Sequence, residues 1–133
     1  MSTILIVEDN EKNMKLVRDI LRHNGHATIE AQTGGDGVRL ASEKKPDLIL
    51  MDIQLPDIDG IEALRRIREH AALDATPVVA VSASVMPDDQ QKIVSSGFDA
   101  FVTKPINLKQ FQDTVQQFLA GGRSRLRSGA DAA

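Results

Sequence analysis

The sequence has no cysteine, tryptophan or tyrosine among its 133 residues. Without cysteine, the protein cannot form disulfide bonds, thiolate metal sites or cysteine nucleophiles. No apolar run approaches the length of a membrane-spanning helix, so we expect no membrane insertion. The net charge of -3 at pH 7 carries no global signature of nucleic-acid binding, and we expect no nucleic-acid partner.

The length and composition predict one globular domain, since 41% of the residues are hydrophobic and 26% are charged. Met1, Ser2 and Thr3 lead directly into an apolar run without a basic region, so we expect no signal peptide and a cytoplasmic protein. The last residues, from Arg123 to Ala133, show no hydrophobic period and are predicted to be disordered. We therefore place the domain at residues 1–120 and a tail at residues 121–133.

The segment from Leu48 to Gly60 is the centre of the predicted fold. Four consecutive apolar residues, 48–51, predict a strand that is buried on both faces. Asp52 follows at the point where this strand should end, and a turn-rich segment comes next. Because ligands of open parallel sheets bind outside the carboxyl ends of the strands, Asp52 is the candidate reactive residue.

The remaining apolar segments alternate with helical patterns along the chain, which predicts an α/β fold with a parallel sheet and helices on both faces. The segment 27–31 alternates more weakly and is expected near the sheet edge. Residues 34–37, which contain three glycines, are predicted to be a loop. The predicted strands are 4–7, 27–31, 48–51, 78–81 and 100–103; the predicted helices follow Asn10, Gly37, Gly60, Met86 and Asn107. The last helix is expected to turn Leu108, Phe111, Val115, Phe118 and Leu119 inward.

Polar side chains follow four of the predicted strands and should meet at one edge of the sheet. Carboxylates that meet there repel one another unless a cation intervenes, and oxygen ligands favour Mg²⁺. A carboxylate nucleophile, a hard cation and a lysine are the groups that phosphoryl transfer requires. These side chains are Glu8 and Asp9 after the first strand, Asp52 after the third, Ser82 after the fourth and Lys104 after the fifth.

Five separated motifs give the chain its resemblance to a known family: residues 7–10, residues 50–56, Gly60, Ser82-Ala83 and Lys104-Pro105. With this order and spacing, the chain resembles a receiver domain of the two-component response regulators. It is similar to single-domain receivers of the DivK type and to receivers attached to hybrid histidine kinases. The resemblance implies a flavodoxin-like (βα)5 three-layer sandwich with a five-stranded parallel sheet of order 2-1-3-4-5.

The resemblance also implies a role for each matching residue. Asp52 would be the phosphoacceptor, and Lys104 would pair with the phosphoryl group. Asp9 would bind Mg²⁺ directly, Glu8 mostly through water, and the backbone carbonyl of Gln54 would complete the protein ligands. The other implied roles are Ser82 as a Ser/Thr switch, Ala83 as the small residue that leaves room for the phosphoryl group, Phe101 at the aromatic switch position and Pro105 after a cis peptide bond.

The family implies signalling partners rather than a small-molecule substrate. A histidine kinase or a histidine phosphotransfer protein would supply the phosphoryl group, and a downstream protein would read the face built from the fourth helix, fifth strand and fifth helix. Phosphorylation would shift Ser82 and Lys104 and turn Phe101 inward. A phenylalanine in a strand is as often a core residue, and both interpretations of Phe101 stay open.

Other interpretations of the same residues are weaker or remain open. A haloacid-dehalogenase-type phosphatase needs a second Asp two residues after the nucleophile, where this chain has Gln54. A calcium loop at residues 57–60 is excluded, because aligning Gly60 with the glycine of such a loop puts Leu55 and Arg66 at ligand positions. A phosphorylation-independent scaffold and a receiver excised from a hybrid histidine kinase remain as alternatives.

Overall fold

The structure is a computed structural model that describes residues 2–83 and 87–122. Strands and helices alternate along this part of the chain, as the apolar segments predict. The strands are β1 (Thr3–Val7), β2 (Ala27–Ala31), β3 (Leu48–Asp52), β4 (Val78–Ser82) and β5 (Ala100–Thr103). The helices are α1 (Glu11–His23), α2 (Gly34–Lys44), α3 (Gly60–Arg68), α4 (Pro87–Ser95) and α5 (Leu108–Gly121), with a short 3₁₀ helix at Ala71–Leu73.

The five strands form one parallel sheet of order β2-β1-β3-β4-β5. This confirms the predicted α/β class, the flavodoxin-like order and the edge position of β2. The register sets Val7 of β1 opposite Met51 of β3, and Asp52 opposite Val81 of β4. The carboxyl ends of the strands therefore lie along one edge of the sheet, where the candidate site residues follow them.

The sheet is the middle of three layers, because successive strand residues point to opposite faces. In β3, Ile49 and Met51 belong to one apolar cluster and Leu48 and Leu50 to the other. The first cluster includes buried residues of α2, α3 and α4, and the second includes those of α1 and α5. All five residues of β3 are buried, as the continuous apolar run predicts for a central strand.

Side-chain caps begin four of the described helices. In each case an oxygen of the residue before the helix accepts a hydrogen bond from a backbone N–H in the first turn, which satisfies a donor without a partner inside the helix. The prediction that Asn10 and Asn107 are caps is confirmed. The acceptors and donors are Asn10 and Asn13, Thr33 and Asp36, Asp59 and Glu62, and Asn107 and Gln110.

The predicted loop at residues 34–37 is wrong, because α2 begins at Gly34. Thr33 has extended backbone angles, and its hydroxyl accepts from the Asp36 N–H at 3.1 Å, so the helix has a regular start. The glycines are required by close packing: a Cβ on Gly34 would lie 2.5 Å from Ile58, and one on Gly37 would lie 2.8 Å from Val7. Glycine there reflects a crowded interface between elements rather than a turn.

Two features at the ends of elements also differ from the predictions. Leu108 is 54% exposed, because it is the first residue of α5 and lies ahead of the stripe that packs on the sheet. The 3₁₀ helix at Ala71–Leu73 was not predicted, and it buries Leu73 completely. Helix α5 ends at Gly121, next to the predicted boundary between the domain and the tail. The predicted disorder at 123–133 lies outside the described residues.

Candidate functional site

Three carboxylates meet at the carboxyl ends of β1 and β3. One ligand oxygen from each of Glu8, Asp9 and Asp52 lies within 4.8 Å of the others. The cause is the sheet register, since Val7 and Met51 are partners and the next residue of each strand continues to the same edge. The predicted acidic cluster is therefore formed by the backbone topology.

Glu8 is the buried member of the cluster, only 4% exposed. Its Oε2 accepts a hydrogen bond from the Asn10 N–H at 3.1 Å, and its own N–H donates to the Ala31 carbonyl at 2.9 Å. Burial raises the pKa of Glu8, and the nearby Asp52 carboxylate raises it further, whereas a hydrogen bond from Lys104 opposes the rise. An additional cation beside Glu8 would consequently stabilise the charged form of its carboxylate.

Asp52 is also 4% exposed, and both of its carboxylate oxygens have donors. Oδ1 accepts from the backbone N–H of Gln54 at 3.1 Å, and Oδ2 accepts from Lys104 Nζ at 3.2 Å. These two contacts fix the orientation of the carboxylate at the end of β3. A nucleophile held in one orientation has already lost the conformational freedom that an in-line attack would otherwise remove.

Lys104 brings a positive charge between two of the carboxylates. Its Nζ lies 3.0 Å from Glu8 Oε1 and 3.2 Å from Asp52 Oδ2. Burial alone would lower the pKa of Lys104, but the hydrogen bond to Glu8 and the charge of Asp52 outweigh burial and raise that pKa. Its backbone N–H donates to the Ser82 carbonyl at 2.8 Å, which ties β5 to β4, and the Lys104–Pro105 peptide bond is cis.

The donor set fits a hard divalent cation. Three carboxylates face one lysine, which leaves an excess of negative charge, and all the available donor atoms are oxygens, as Mg²⁺ prefers. Asp9 is exposed, so the cluster is open to solvent on one side. Glu8, Asp9 and Asp52 would hold the ion, with the carbonyl of Gln54 as the predicted additional ligand.

The remaining predicted residues lie at the same edge or close to it. Ser82 is the last residue of β4, is 4% exposed and lies opposite Thr103. Ala83 follows directly and is exposed. Phe101 lies one strand away, opposite Ala80, where it is partly buried against the apolar cluster beneath α2, α3 and α4. This position is compatible with a core role and with a switch role.

Asp57 makes contacts that the sequence did not reveal. Its Oδ1 accepts from the Gly34 N–H and its Oδ2 from the Gly35 N–H, both at 2.8 Å. Hydrogen bonds from Gly35 and other backbone N–H groups lower the pKa of Asp57 to about 2. The sequence signal for this contact is the Thr33-Gly34-Gly35 segment. It points to free backbone N–H groups only if a helix, rather than a loop, is predicted to begin there.

The fold and the site define a receiver: the chain belongs to the response regulator receiver domain family, which matches residues 4–116. Receivers of this family act in two-component signalling. Among individual proteins, the polar-differentiation response regulators DivK of Brucella anthropi and Brucella ovis are each 42% identical to this chain over 117 residues. Each alignment covers 88% of this chain and 95% of the relative.

Solved structures show the same architecture. The receiver domain of a sensor histidine kinase from Pseudomonas aeruginosa PAO1 is 30% identical, with a TM-score of 0.85, and the match covers 90% of this chain and 98% of that one. That structure has a magnesium ion coordinated in its active site cleft. The receiver domain of a histidine kinase from Syntrophus aciditrophicus is also 30% identical, with a TM-score of 0.84, and covers 91% and 92% of the two chains.

These comparisons confirm the predicted family and its fold. Within residues 2–83 and 87–122, no helix has both the length and the apolarity that crossing a membrane requires. The chemical roles of the individual site residues belong to the proposal that follows.

Proposed function

We propose that this receiver takes a phosphoryl group onto Asp52 from a phosphohistidine of a histidine kinase or a histidine phosphotransfer protein. The observation that carries the proposal is the arrangement of Glu8, Asp9 and Asp52 within 4.8 Å, with Lys104 3.0 to 3.2 Å from two of them. The candidate nucleophile, the candidate cation site and the lysine that contacts two of the carboxylates lie together at one edge of the sheet.

In the proposed step, an oxygen of the Asp52 carboxylate attacks the phosphorus atom. The new O–P bond forms as the P–N bond to the donor imidazole breaks, and its electron pair returns to the ring nitrogen. Mg²⁺, held by the acidic cluster, would neutralise charge on the phosphoryl oxygens. Lys104 would exchange its contact with Asp52 for a phosphoryl oxygen, and Ala83 would leave space beside it.

The output of the proposed reaction is a change of surface rather than a released product. The phosphoryl group adds charge next to Ser82 and Lys104, whose backbones are already joined by a 2.8 Å hydrogen bond. A movement of Ser82 towards the phosphoryl group would therefore be passed to β5, which carries Phe101. A downstream protein would read the resulting α4-β5-α5 face.

The alternatives have less support. A small-molecule phosphatase is not favoured, because Gln54 stands where that class needs an acid and its N–H is used to orient Asp52. A phosphorylation-independent scaffold has no use for a buried carboxylate pair with a lysine between them.

Since phosphohistidine donors are made from ATP, the cytoplasm is the proposed compartment.

Intact mass spectrometry tests the proposal. The protein is incubated with acetyl phosphate, with Mg²⁺ or with a chelator, and its mass is measured. We expect the wild type to gain one phosphoryl group only with Mg²⁺, and Asp52→Asn to gain none.

The matched control is Asp59→Asn, an exposed residue of the same loop, whose replacement keeps an oxygen to cap α3. We expect this variant to behave as the wild type does. Phosphorylation of Asp52→Asn at the wild-type rate, or no gain in the wild type, would reject the proposal and favour a scaffold.

A further inference from the structure

The loop between β3 and α3, residues 53–59, leads from the phosphoacceptor strand to the next helix and carries Gln54. Its two ends are fixed by backbone hydrogen bonds. The Ile53 N–H donates to the Val81 carbonyl at 3.2 Å, and the Gly60 N–H donates to the Ile53 carbonyl at 2.8 Å. Between these ends Leu55 and Ile58 pack against the apolar cluster beneath α2, α3 and α4, and a polar contact joins the middle of the loop to α2.

That contact is made by Asp57. Its two carboxylate oxygens accept one hydrogen bond each from the N–H groups of Gly34 and Gly35, in the first turn of α2, at 2.8 Å. The pair is bidentate and charge-assisted, and the carboxylate lies at the positive end of the α2 dipole, so three favourable effects act on one side chain. A residue of one loop is in this way attached to a helix more than 20 positions earlier.

The surface of α2 is shaped to receive the loop. A Cβ on Gly34 would lie 2.5 Å from the Ile58 side chain, and one on Gly35 would lie 3.2 Å from Asp57 Oδ2. Neither glycine has a positive φ angle that would require glycine for backbone reasons. Their lack of side chains serves the close approach of Asp57 and Ile58, which is independent support for a specific docking contact.

Helix α2 does not need Asp57 as an ordinary N-cap. Thr33 already fills that position, with its hydroxyl 3.1 Å from the Asp36 nitrogen. Asp57 accepts hydrogen bonds from the Gly34 and Gly35 N–H groups, which the Thr33 hydroxyl does not bind. It makes these bonds from the loop that carries Gln54. The consequence of the contact is therefore expected at the loop as well as at the helix.

We propose that Asp57 is a positioning residue for metal binding, which holds the 53–59 loop against α2 and so keeps Gln54, whose carbonyl is the predicted additional ligand, in its contact with Asp52. This inference rests on the proposed function. Gln54 lies three positions before Asp57, and its N–H is bonded to Asp52 at 3.1 Å, so a displaced loop would disturb both the carbonyl and the nucleophile. Without the Asp57 contact, the carboxylates and the apolar contacts of the loop remain, but the loop ligand is held less firmly.

The test is a Mg²⁺ titration of the whole chain, followed by two-dimensional amide NMR. We expect Asp57→Ala to raise the Kd for Mg²⁺ about tenfold, in the range for groups that orient metal ligands. Asp57→Asn keeps one acceptor oxygen and should give an intermediate Kd. The matched control is Thr33→Val, which removes the hydroxyl that caps the same helix and leaves the loop contact intact, and its Kd should stay within about twofold of wild type.

A second readout separates positioning from loss of folded protein. Phosphorylation of Asp57→Ala by acetyl phosphate should be slow at low Mg²⁺ and approach the wild-type rate at saturating Mg²⁺. In the metal-free variant, the amide of Gln54 should also exchange with solvent faster than in the wild type, whereas Thr33→Val should leave this exchange unchanged.

The inference is overturned if Asp57→Ala binds Mg²⁺ as the wild type does, or if Thr33→Val weakens binding equally. A wild type that binds Mg²⁺ and is phosphorylated, together with an unaffected Asp57→Ala, would reject only the positioning role. A wild type that binds no Mg²⁺ would reject both this role and the proposed function.

Discussion

Lys104 shows how one residue can make an acidic cluster compatible with a folded protein. Two nearly buried carboxylates, Glu8 and Asp52, would repel each other strongly at low local dielectric. Lys104 lies within 3.2 Å of both and reduces that repulsion in the structure as it stands. In the proposed function, the same ammonium group would move from Asp52 to a phosphoryl oxygen.

Replacing this lysine should separate metal binding from phosphoryl transfer. In Lys104→Met we expect tighter Mg²⁺ binding, because a positive charge beside the acidic cluster is lost, and phosphorylation about a hundredfold slower, because a charge that stabilises the transition state is lost. The measurements are Mg²⁺ titration by NMR and the rate of mass gain with acetyl phosphate.

The matched control for this prediction is Lys109→Met, whose exposed ammonium pairs only with Asp113 among the interactions that the structure describes. Both quantities should be unchanged in this variant. A wild-type phosphorylation rate in Lys104→Met would contradict the proposed role of the lysine.

Asp99 is a buried acid that the hydrophobic patterns did not single out. It is 1% exposed, and its Oδ2 accepts from the Val78 N–H at 2.8 Å and from Arg68 at 3.3 Å. Arg68 in turn donates to the Leu73 carbonyl at 2.7 Å. These contacts join the end of α3 and the 3₁₀ helix to the start of β4.

Asp99→Ala should lower the free energy of unfolding by about 3 kcal/mol, because it leaves the Val78 N–H and the Arg68 guanidinium without this buried acceptor. Urea denaturation followed by far-UV circular dichroism measures the change. Asp113→Ala, which breaks an exposed ion pair, should change stability by less than about 0.5 kcal/mol. Equal changes in the free energy of unfolding would show that the buried contacts of Asp99 stabilise the protein no more than an exposed ion pair does.

At the scale of elements, α2 is the clearest case in which local sequence misleads. Three glycines within residues 34–37 favour a loop by propensity, since each costs about 1 kcal/mol relative to alanine inside a helix. The helix forms because Thr33 caps it, Asp57 binds its first N–H groups and neighbouring side chains occupy the space of the missing Cβ atoms. The cap is local, whereas the Asp57 contact and the packing against the glycines come from distant parts of the chain.

Two glycine-to-alanine variants test this explanation. Gly37→Ala should destabilise the protein by about 1 to 3 kcal/mol, because its Cβ would lie 2.8 Å from a methyl carbon of Val7, the buried last residue of β1. Gly121→Ala lies in the last turn of α5, where no atom of the described residues, apart from its chain neighbours and the helix backbone, comes within 4 Å of the new Cβ; this variant should be neutral or stabilising by up to about 1 kcal/mol. Urea denaturation of both variants decides; a stabilising Gly37→Ala would contradict the packing explanation.

For the whole molecule, the parts that could be predicted are those encoded by short, strong patterns. Apolar segments predicted four of the strands and a weaker alternating pattern predicted β2, while Asn10 and Asn107 marked helix starts, because burial and capping act over a few neighbouring residues. The polar residues at strand ends indicated where the site would lie, since a parallel sheet brings those ends together. The Asp57 contact, the burial of Asp99 and the outward position of Leu108 depend on tertiary packing, which no local window contains.

Metal binding should be visible in the stability of the whole fold, since the acidic cluster exists only in the native state. At Mg²⁺ concentrations ten times the Kd, we expect a gain of about 1.4 kcal/mol in the free energy of unfolding and about 4 °C in Tm. Thermal denaturation followed by circular dichroism, with and without a chelator, measures this gain.

The variants for this comparison are Asp9→Asn and Asp113→Asn. Asp9 is exposed, so its replacement should leave the metal-free Tm nearly unchanged while removing most of the Mg²⁺ effect. Asp113→Asn, on α5 and away from the cluster, should keep the full effect. A Tm that rises equally with Mg²⁺ in both variants would argue for non-specific ion binding.

The acidic cluster and its lysine follow the first, third and fifth strands, and the lysine lies 52 positions after the aspartate that it contacts. A chain emerging from the ribosome therefore holds its aspartate long before it holds the lysine. Until β5 has been synthesised and added to the sheet, the nascent protein should not accept a phosphoryl group from a kinase. The acyl phosphate would then form only on completely synthesised and folded molecules, and the amount of acyl phosphate would report how many of them are present.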